Sequence, residues 1–95
     1  MRKEFNVPVD KKAYVGSSKY IKLESELPDL ITIKCGDVLR IRGTNNFKRL
    51  GRVANIINGI AVTDRFRILK LDDVVVVGDR HICGINSWLF EYKQQ

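Results

Sequence analysis

The sequence predicts a mostly β fold, either a small barrel or a strongly bent antiparallel sheet of about five to seven strands. Short segments alternate between apolar and polar residues, Gly, Asn and Asp turns separate them, and no stretch of roughly twelve residues has a helical period. The 95 residues form a single domain with an ordinary globular composition, 44% hydrophobic and 29% charged. Pro8 and Gly16 interrupt residues 1–19, which predicts a flexible N-terminal arm with at most a short strand, followed by the β domain at 20–95.

The first half of the domain contains three predicted strands. They are a weakly alternating segment at 20–23, a segment at 31–33 after the Pro28-Asp29 turn, and a strand at 38–42 after Gly36-Asp37. In the last of these, Leu39 and Ile41 alternate with Arg40 and Arg42, which predicts one apolar face and one cationic face. Residues 43–46 form a loop by composition.

The dipeptide Asn58-Gly59 is the strongest local structural signal in the chain. Apolar-rich segments at 52–57 and 60–63 flank it. Both central positions of a type I′ turn require positive φ, which Asn and Gly tolerate. We therefore expect a β-hairpin with its turn at this dipeptide.

The C-terminal third alternates less regularly. We expect a strand at 65–69, with Arg65 and Arg67 opposite Phe66 and Ile68. After a turn at Asp72-Asp73, we expect a strand at 74–77 that ends at Gly78-Asp79. A short strand at 82–85 is interrupted by Gly84. The tail from Trp88 to Tyr92 fits either a strand or a short helix capped by Asn86-Ser87. Its aromatic residues are expected in the core rather than in an exposed partner-binding patch, because large rings bury much area.

Positive charge is concentrated in the middle of the chain. Residues 31–70 contain nine Lys or Arg against two Asp, and the whole chain has a net charge of +6. A basic region on a small fold indicates a surface for a polyanion. The candidate contact residues are Arg40, Arg42, Phe47, Lys48, Arg49, Arg52, Arg65 and Arg67.

The chemistry of these residues suits nucleic acid. Arginine presents a planar donor fork for phosphates, and an exposed Phe47 in a loop would stack on a base. The alternative is that the cations are merely solvated and that Phe47 folds back to close one end of the barrel.

Residues 36–56 resemble the KOW motif of ribosomal proteins and transcription elongation factors. Gly36-Asp37 leads a strand, Phe47-Lys48 lie in a loop, and Gly51, Val53 and Ile56 follow with matching spacing. Arg49 stands where the motif usually has glycine, and the distance between strand and loop also departs from the usual one. The resemblance implies an SH3-like barrel that binds nucleic acid.

The sequence contains little that would support catalysis or metal binding. His81 and Cys83, with Asp79 and Cys35, lack the paired spacing of zinc sites, so we expect no metal and no cofactor. A disulfide between the two cysteines is possible, but reduced thiols in a cytoplasmic protein are favoured. One histidine and no nucleophile or phosphate-loop motif predict that the protein is not an enzyme, with a ribonuclease-like barrel acting through His81 as the remaining alternative.

The function expected from these features is non-catalytic binding of nucleic acid, with RNA or single-stranded DNA ahead of duplex DNA. The alternative is a protein-interaction module that docks on an acidic surface of a transcription, translation or nuclease machine as a regulator or inhibitor. We expect no membrane association, because no polybasic segment adjoins an amphipathic helix. An uncovered strand edge makes either a monomer or a homodimer compatible with the sequence.

Overall fold

A computed structural model describes residues 3–15, 27–43 and 46–94 of the chain. Eight strands lie in these ranges, and they are β1 (Glu4–Pro8), β2 (Leu30–Lys34), β3 (Val38–Arg42), β4 (Phe47–Ile57), β5 (Ile60–Thr63), β6 (Ile68–Lys70), β7 (Val74–Ile82) and β8 (Ile85–Tyr92). The mostly β prediction is confirmed, although the strands outnumber those expected. The strand predicted at 20–23 lies outside the described residues, as do 16–19 and part of the 43–46 loop.

Two sheets make up the described part of the chain. Six strands form the larger sheet in the order β6-β5-β4-β3-β8-β7, and β1 pairs with β2 in a second, antiparallel sheet. All neighbours in the larger sheet are antiparallel except β3 and β8, which run parallel. The edge strands β6 and β7 do not pair with each other, so the larger sheet is not a closed barrel.

The core is formed by the apolar side chains on the inner faces of the strands, where apolar and polar residues alternate along the sequence. Its buried members are Val7, Ile33, Leu39, Ile41, Leu50, Val53, Ala61, Leu69, Leu71, Val74, Val76 and Phe90. Removing each large apolar side chain from water stabilises the fold by about 1.5–3 kcal/mol. Leu39 and Ile41 point into this core as predicted, which leaves Arg40 and Arg42 on the outer face of β3.

The hairpin at Asn58-Gly59 is confirmed. Asn58 has φ 50° and Gly59 has φ 77°, as the type I′ geometry requires. The flanking strands pair from Ile57 and Ile60 outward. This hairpin connects β4, which carries part of the basic region, to β5.

The N-terminal segment is part of the packed structure rather than a loose arm over its described residues, 3–15. The short strand expected there is β1, and its Val7 is fully buried. Beyond β1, the Asp10 and Val15 backbone N–H groups donate to carbonyls of β7 at 3.0 and 2.7 Å. Burial and a hydrogen bond to Asp79 raise the pKa of the Tyr14 phenol. The turn-rich composition concealed these contacts, because each depends on a distant strand.

The strand at 74–77 continues through Gly78 instead of ending there. β7 runs to Ile82, with a bulge between Val76 and Gly78. A Cβ on Gly78 would lie 3.1 Å from the Val15 carbonyl oxygen, so glycine permits the N-terminal backbone to approach. The predicted strand at 82–85 is instead a hairpin turn, in which Cys83 and Gly84 both have positive φ.

The tail forms strand β8, which decides between the two predicted conformations. Phe90 is fully buried, and half-buried Trp88 packs against the core. The Trp88 Nε1–H donates to Oδ2 of the buried Asp37 at 3.0 Å. Tyr92 is exposed, so the tail aromatics are core residues except for this one.

Candidate nucleic-acid interface

A row of paired residues crosses the outer face of the larger sheet. Val38 of β3 lies opposite Arg52 of β4 and opposite Ser87 of β8, and Ser87 lies opposite Arg80 of β7. Residues paired on neighbouring strands project from the same face. Arg52 and Arg80 therefore lie on one face, with the two strands β3 and β8 between them.

A β-bulge adds a further arginine to this face. Arg40 is paired with Arg49, but its neighbour Leu39 is paired with Gly51, so Leu50 is an extra residue in β4. Leu50 is buried. Because the bulge shifts the alternation by one residue, Arg49 and Arg52 lie on the same face although they are three residues apart.

These side chains line a half-open groove of about 400 Å³, which we call the arginine groove. Its cationic residues are Arg40, Arg49, Arg52 and Arg80, and its other lining residues are Val38, Ile82, Cys83, Ile85 and Ser87. Three of the arginines are exposed, and Arg40, in the middle of β3, is half-buried. The groove thus combines cations on β3, β4 and β7 with an apolar wall.

Arg40 is held in a fixed orientation. Its Nε–H donates to Ser87 Oγ at 2.9 Å, and its Nη2 donates to the Ser87 carbonyl oxygen at 3.3 Å. Burial lowers the pKa of Arg40, and the positive charge of Arg80 lowers it further, whereas Asp79 raises it. An arginine keeps its proton at neutral pH in spite of such shifts. The groove therefore contains mutually repelling cations that a bound anion would stabilise.

Little of this charge is neutralised within the protein. Across the described ranges, no carboxylate lies within 4.0 Å of the guanidinium groups of Arg49, Arg52 or Arg80. Arg42 differs, because its Nε lies 2.7 Å from Glu91 Oε1. Arg42 is on the outer face as predicted, but its ion pair reduces its availability to a ligand.

The residues predicted at a loop tip are instead the beginning of β4. Phe47 pairs with Arg42, so it lies on the outer face, and 65% of its surface is exposed. Lys48 lies opposite Ile41 and therefore projects from the other face, away from the groove. Pairing with β3 extends β4 to Phe47 because the backbone groups of both strands find partners there.

Arg65 and Arg67 are not on a strand, which corrects the strand predicted at 65–69. β6 begins only at Ile68, and Phe66 has φ 59°, which ends the alternation. Phe66, which the predicted alternation places on the face opposite the two arginines, is 92% exposed. Neither arginine lines the arginine groove.

Arg80 is the groove residue that sequence reasoning missed. It follows Gly78-Asp79, which the sequence predicts to end the strand at 74–77. Arg80 and Ile82 alternate with exposed His81, and this pattern would have indicated a continuing strand if Gly78 had been interpreted as a bulge. Ser87, the hydrogen-bond acceptor for Arg40, had no recognisable signal.

His81, Cys83, Asp79 and Cys35, the residues weighed as metal ligands, do not form a metal-binding group in the described residues. No group of three or more His, Cys, Asp or Glu side chains in residues 3–15, 27–43 and 46–94 is placed to hold a metal ion. Cys35 and Cys83 are both exposed free thiols. Within the same residues, the structure contains no helix long and apolar enough to cross a membrane.

Comparison with known proteins found no match to the chain among family models, curated proteins or solved structures. The KOW resemblance therefore stays a prediction. Function has to be inferred from the arginine groove and its surroundings.

Proposed function

We propose that this protein binds single-stranded nucleic acid, RNA or DNA, without catalysis, in the arginine groove. The observation that carries the proposal is the grouping of four arginines from three strands around one half-open groove with an apolar wall. Three of these cations have no carboxylate partner within the described part of the chain.

Phosphate is the anion that this arrangement favours. Each guanidinium offers a planar fork of N–H donors that matches a phosphate, and charge-assisted hydrogen bonds are stronger than neutral ones. Ser87 already orients Arg40 and occupies only two of its five N–H donors. Less side-chain entropy is therefore lost when a phosphate binds at Arg40.

The apolar wall favours a nucleotide over a free anion or an acidic peptide. Val38, Ile82 and Ile85 provide a surface for a base or sugar beside the cations, and exposed Phe47 lies on the same face. A groove of about 400 Å³ accommodates a unit of nucleotide size. A duplex keeps its bases stacked inside a convex surface, so it would reach the arginines but not the wall.

The protein-docking alternative has less support. An exposed aromatic tail would have favoured it, but Phe90 is fully buried and Trp88 packs against the core and donates to Asp37. Only Tyr92 of the tail remains for a partner.

The two exposed free thiols support a reducing compartment, so we place the proposed activity in the cytoplasm.

The proposal is tested by fluorescence anisotropy with labelled ligands of equal length. The ligands are an RNA strand and a DNA strand of about 12 nucleotides, a DNA duplex of about 12 base pairs, and a poly-glutamate peptide of about 12 residues. We expect the single strands to bind with micromolar or tighter affinity, ahead of the duplex and the peptide. Binding of the peptide as tightly as the single strands would overturn the proposal in favour of protein docking, and so would the absence of oligonucleotide binding at low salt.

A further inference from the structure

The turn between β5 and β6 presents an aromatic ring almost entirely to solvent. Phe66 is 92% exposed, the largest value among the exposed large apolar residues of the described chain. Arg65 and Arg67 flank it and are also exposed. We call residues 65–67 the Arg-Phe-Arg turn. An exposed phenylalanine between two cations is an unfavourable arrangement for stability alone, because it leaves apolar area in water.

The turn is held in place by one buried side chain. Thr63 Oγ1 accepts hydrogen bonds from the Arg65 and Arg67 backbone N–H groups at 3.3 and 3.2 Å. The same hydroxyl donates to the Leu50 carbonyl oxygen at 2.7 Å. The Phe66 N–H donates to the Thr63 carbonyl at 3.0 Å. The ring therefore projects from an ordered backbone rather than from a loose loop.

The backbone at Phe66 is strained. Its φ of 59° lies in the left-handed region, where a bulky side chain is an outlier and glycine or asparagine is usual. Conformational strain of this kind is concentrated at functional sites. A large ring at this position is thus unfavourable both for the backbone and for solvation.

The turn adjoins Arg52, one of the cations of the arginine groove. Asp64, which precedes the turn, donates its N–H to the Arg52 carbonyl at 2.8 Å, and its Oδ1 accepts from the Arg52 N–H at 3.0 Å. Arg65 also lies against β4, since its Cγ would be 3.2 Å from a Cβ on Gly51. Gly51 is paired with Leu39, so the Arg65 contact lies on the face opposite the groove. A strand of nucleic acid that leaves the groove at Arg52 would reach the turn by passing around β4 beside Asp64.

We propose that the Arg-Phe-Arg turn is a second contact site of the same ligand, at which an unpaired base stacks on Phe66 while Arg65 and Arg67 meet the adjacent phosphates. This inference rests on the proposed function. Every base has a π-face, so the contact would be tolerant of sequence. Continuity with the arginine groove favours nucleic acid over a membrane or a protein as the occupant of the turn.

The first test is Phe66→Ala, measured with the single-stranded oligonucleotide that the wild-type protein binds. Loss of one base stack should weaken binding by about 5- to 100-fold. The salt dependence should not change, because no charge is removed. The matched control is Ile68→Ala, which removes a 69% exposed apolar side chain from the neighbouring strand and should leave the affinity unchanged.

A second variant separates the ring from the backbone strain. Phe66→Gly should bind as weakly as Phe66→Ala but melt about 4–8 °C higher than that variant, because glycine accepts positive φ without strain. Phe66→Trp should bind as well as the wild-type protein and lose fluorescence when the oligonucleotide is added.

Wild-type affinity for the oligonucleotide in Phe66→Ala would overturn this inference and leave the proposed function standing. If the Phe66→Ala variant lost binding to anionic vesicles or to the poly-glutamate peptide but kept its binding to the oligonucleotide, that result would also overturn the inference. Failure of the wild-type protein to bind any oligonucleotide would instead contradict the proposed function itself.

Discussion

Reversing the charge of two groove residues in Arg52→Glu/Arg80→Glu is expected to lower the affinity for a single-stranded oligonucleotide by at least 100-fold. Each hydrogen-bonded contact with a charged phosphate contributes about 1.5–3 kcal/mol, so the loss of two contacts corresponds to a factor of about 10² or more. The new carboxylates would also repel the phosphates. Both side chains are exposed, so the substitutions should leave the fold intact. The measurement is a titration by fluorescence anisotropy at fixed salt.

A variant with the same net charge provides the control. Lys12→Glu/Lys93→Glu also changes the charge by −4, but these exposed lysines belong neither to the arginine groove nor to the Arg-Phe-Arg turn. Salt screens charges beyond a separation of about 8–10 Å, so this variant should keep its affinity within about threefold of wild type. Equal losses in the two variants would show that total charge, and not the groove, determines binding.

The second large effect is a loss of stability expected at Gly51, where β4 contacts the residues between β5 and the Arg-Phe-Arg turn. Gly51→Ala is expected to reduce the free energy of unfolding by about 2–4 kcal/mol, or Tm by roughly 10–20 °C. Gly51 has φ 116°, and a Cβ there would lie 2.7 Å from Asp64 Oδ1 and 3.2 Å from Thr63 Cβ. The new methyl group would displace the Asp64 carboxylate from its hydrogen bond to Arg52.

Gly36→Ala separates the two causes of that loss. Gly36 also has positive φ, at 96°, but a Cβ added there meets no atom within 4 Å. This variant should therefore show only the backbone strain, about 1 kcal/mol. Thermal unfolding followed by circular dichroism gives both values. Equal decreases in Tm would contradict close packing of the residues before the Arg-Phe-Arg turn against β4.

Local patterns were sufficient to predict the elements whose side chains alternate without interruption. Strand β3 and the hairpin at Asn58-Gly59 agree with their predictions, because both depend on neighbours in sequence. The cationic outer face of β3 follows from the same alternation. The alternation therefore predicts the face of Arg40, whereas Arg49 and Arg52 are candidates through their charge alone.

The remaining part of the site depends on contacts between distant segments. The bulge at Leu50 brings Arg49 to the face of Arg52, and the continuation of β7 past Gly78 adds Arg80. The strand predicted at 65–69 is wrong over residues 65–67, because the Thr63 hydroxyl, and not the apolar pattern, determines the turn. Bulges and side-chain hydrogen bonds of this kind shift an alternating pattern by one residue, and the pattern itself contains no record of the shift.

The most direct measurement is a salt series with the wild-type protein and a single-stranded oligonucleotide. If the arginine groove and the Arg-Phe-Arg turn together neutralise about four to six phosphates, the logarithm of the affinity for a single strand should fall against the logarithm of salt concentration with a slope of about −3 to −4. A slope near zero would show that phosphate contacts do not drive binding, and it would contradict the assignment of the arginine groove as a nucleic-acid interface.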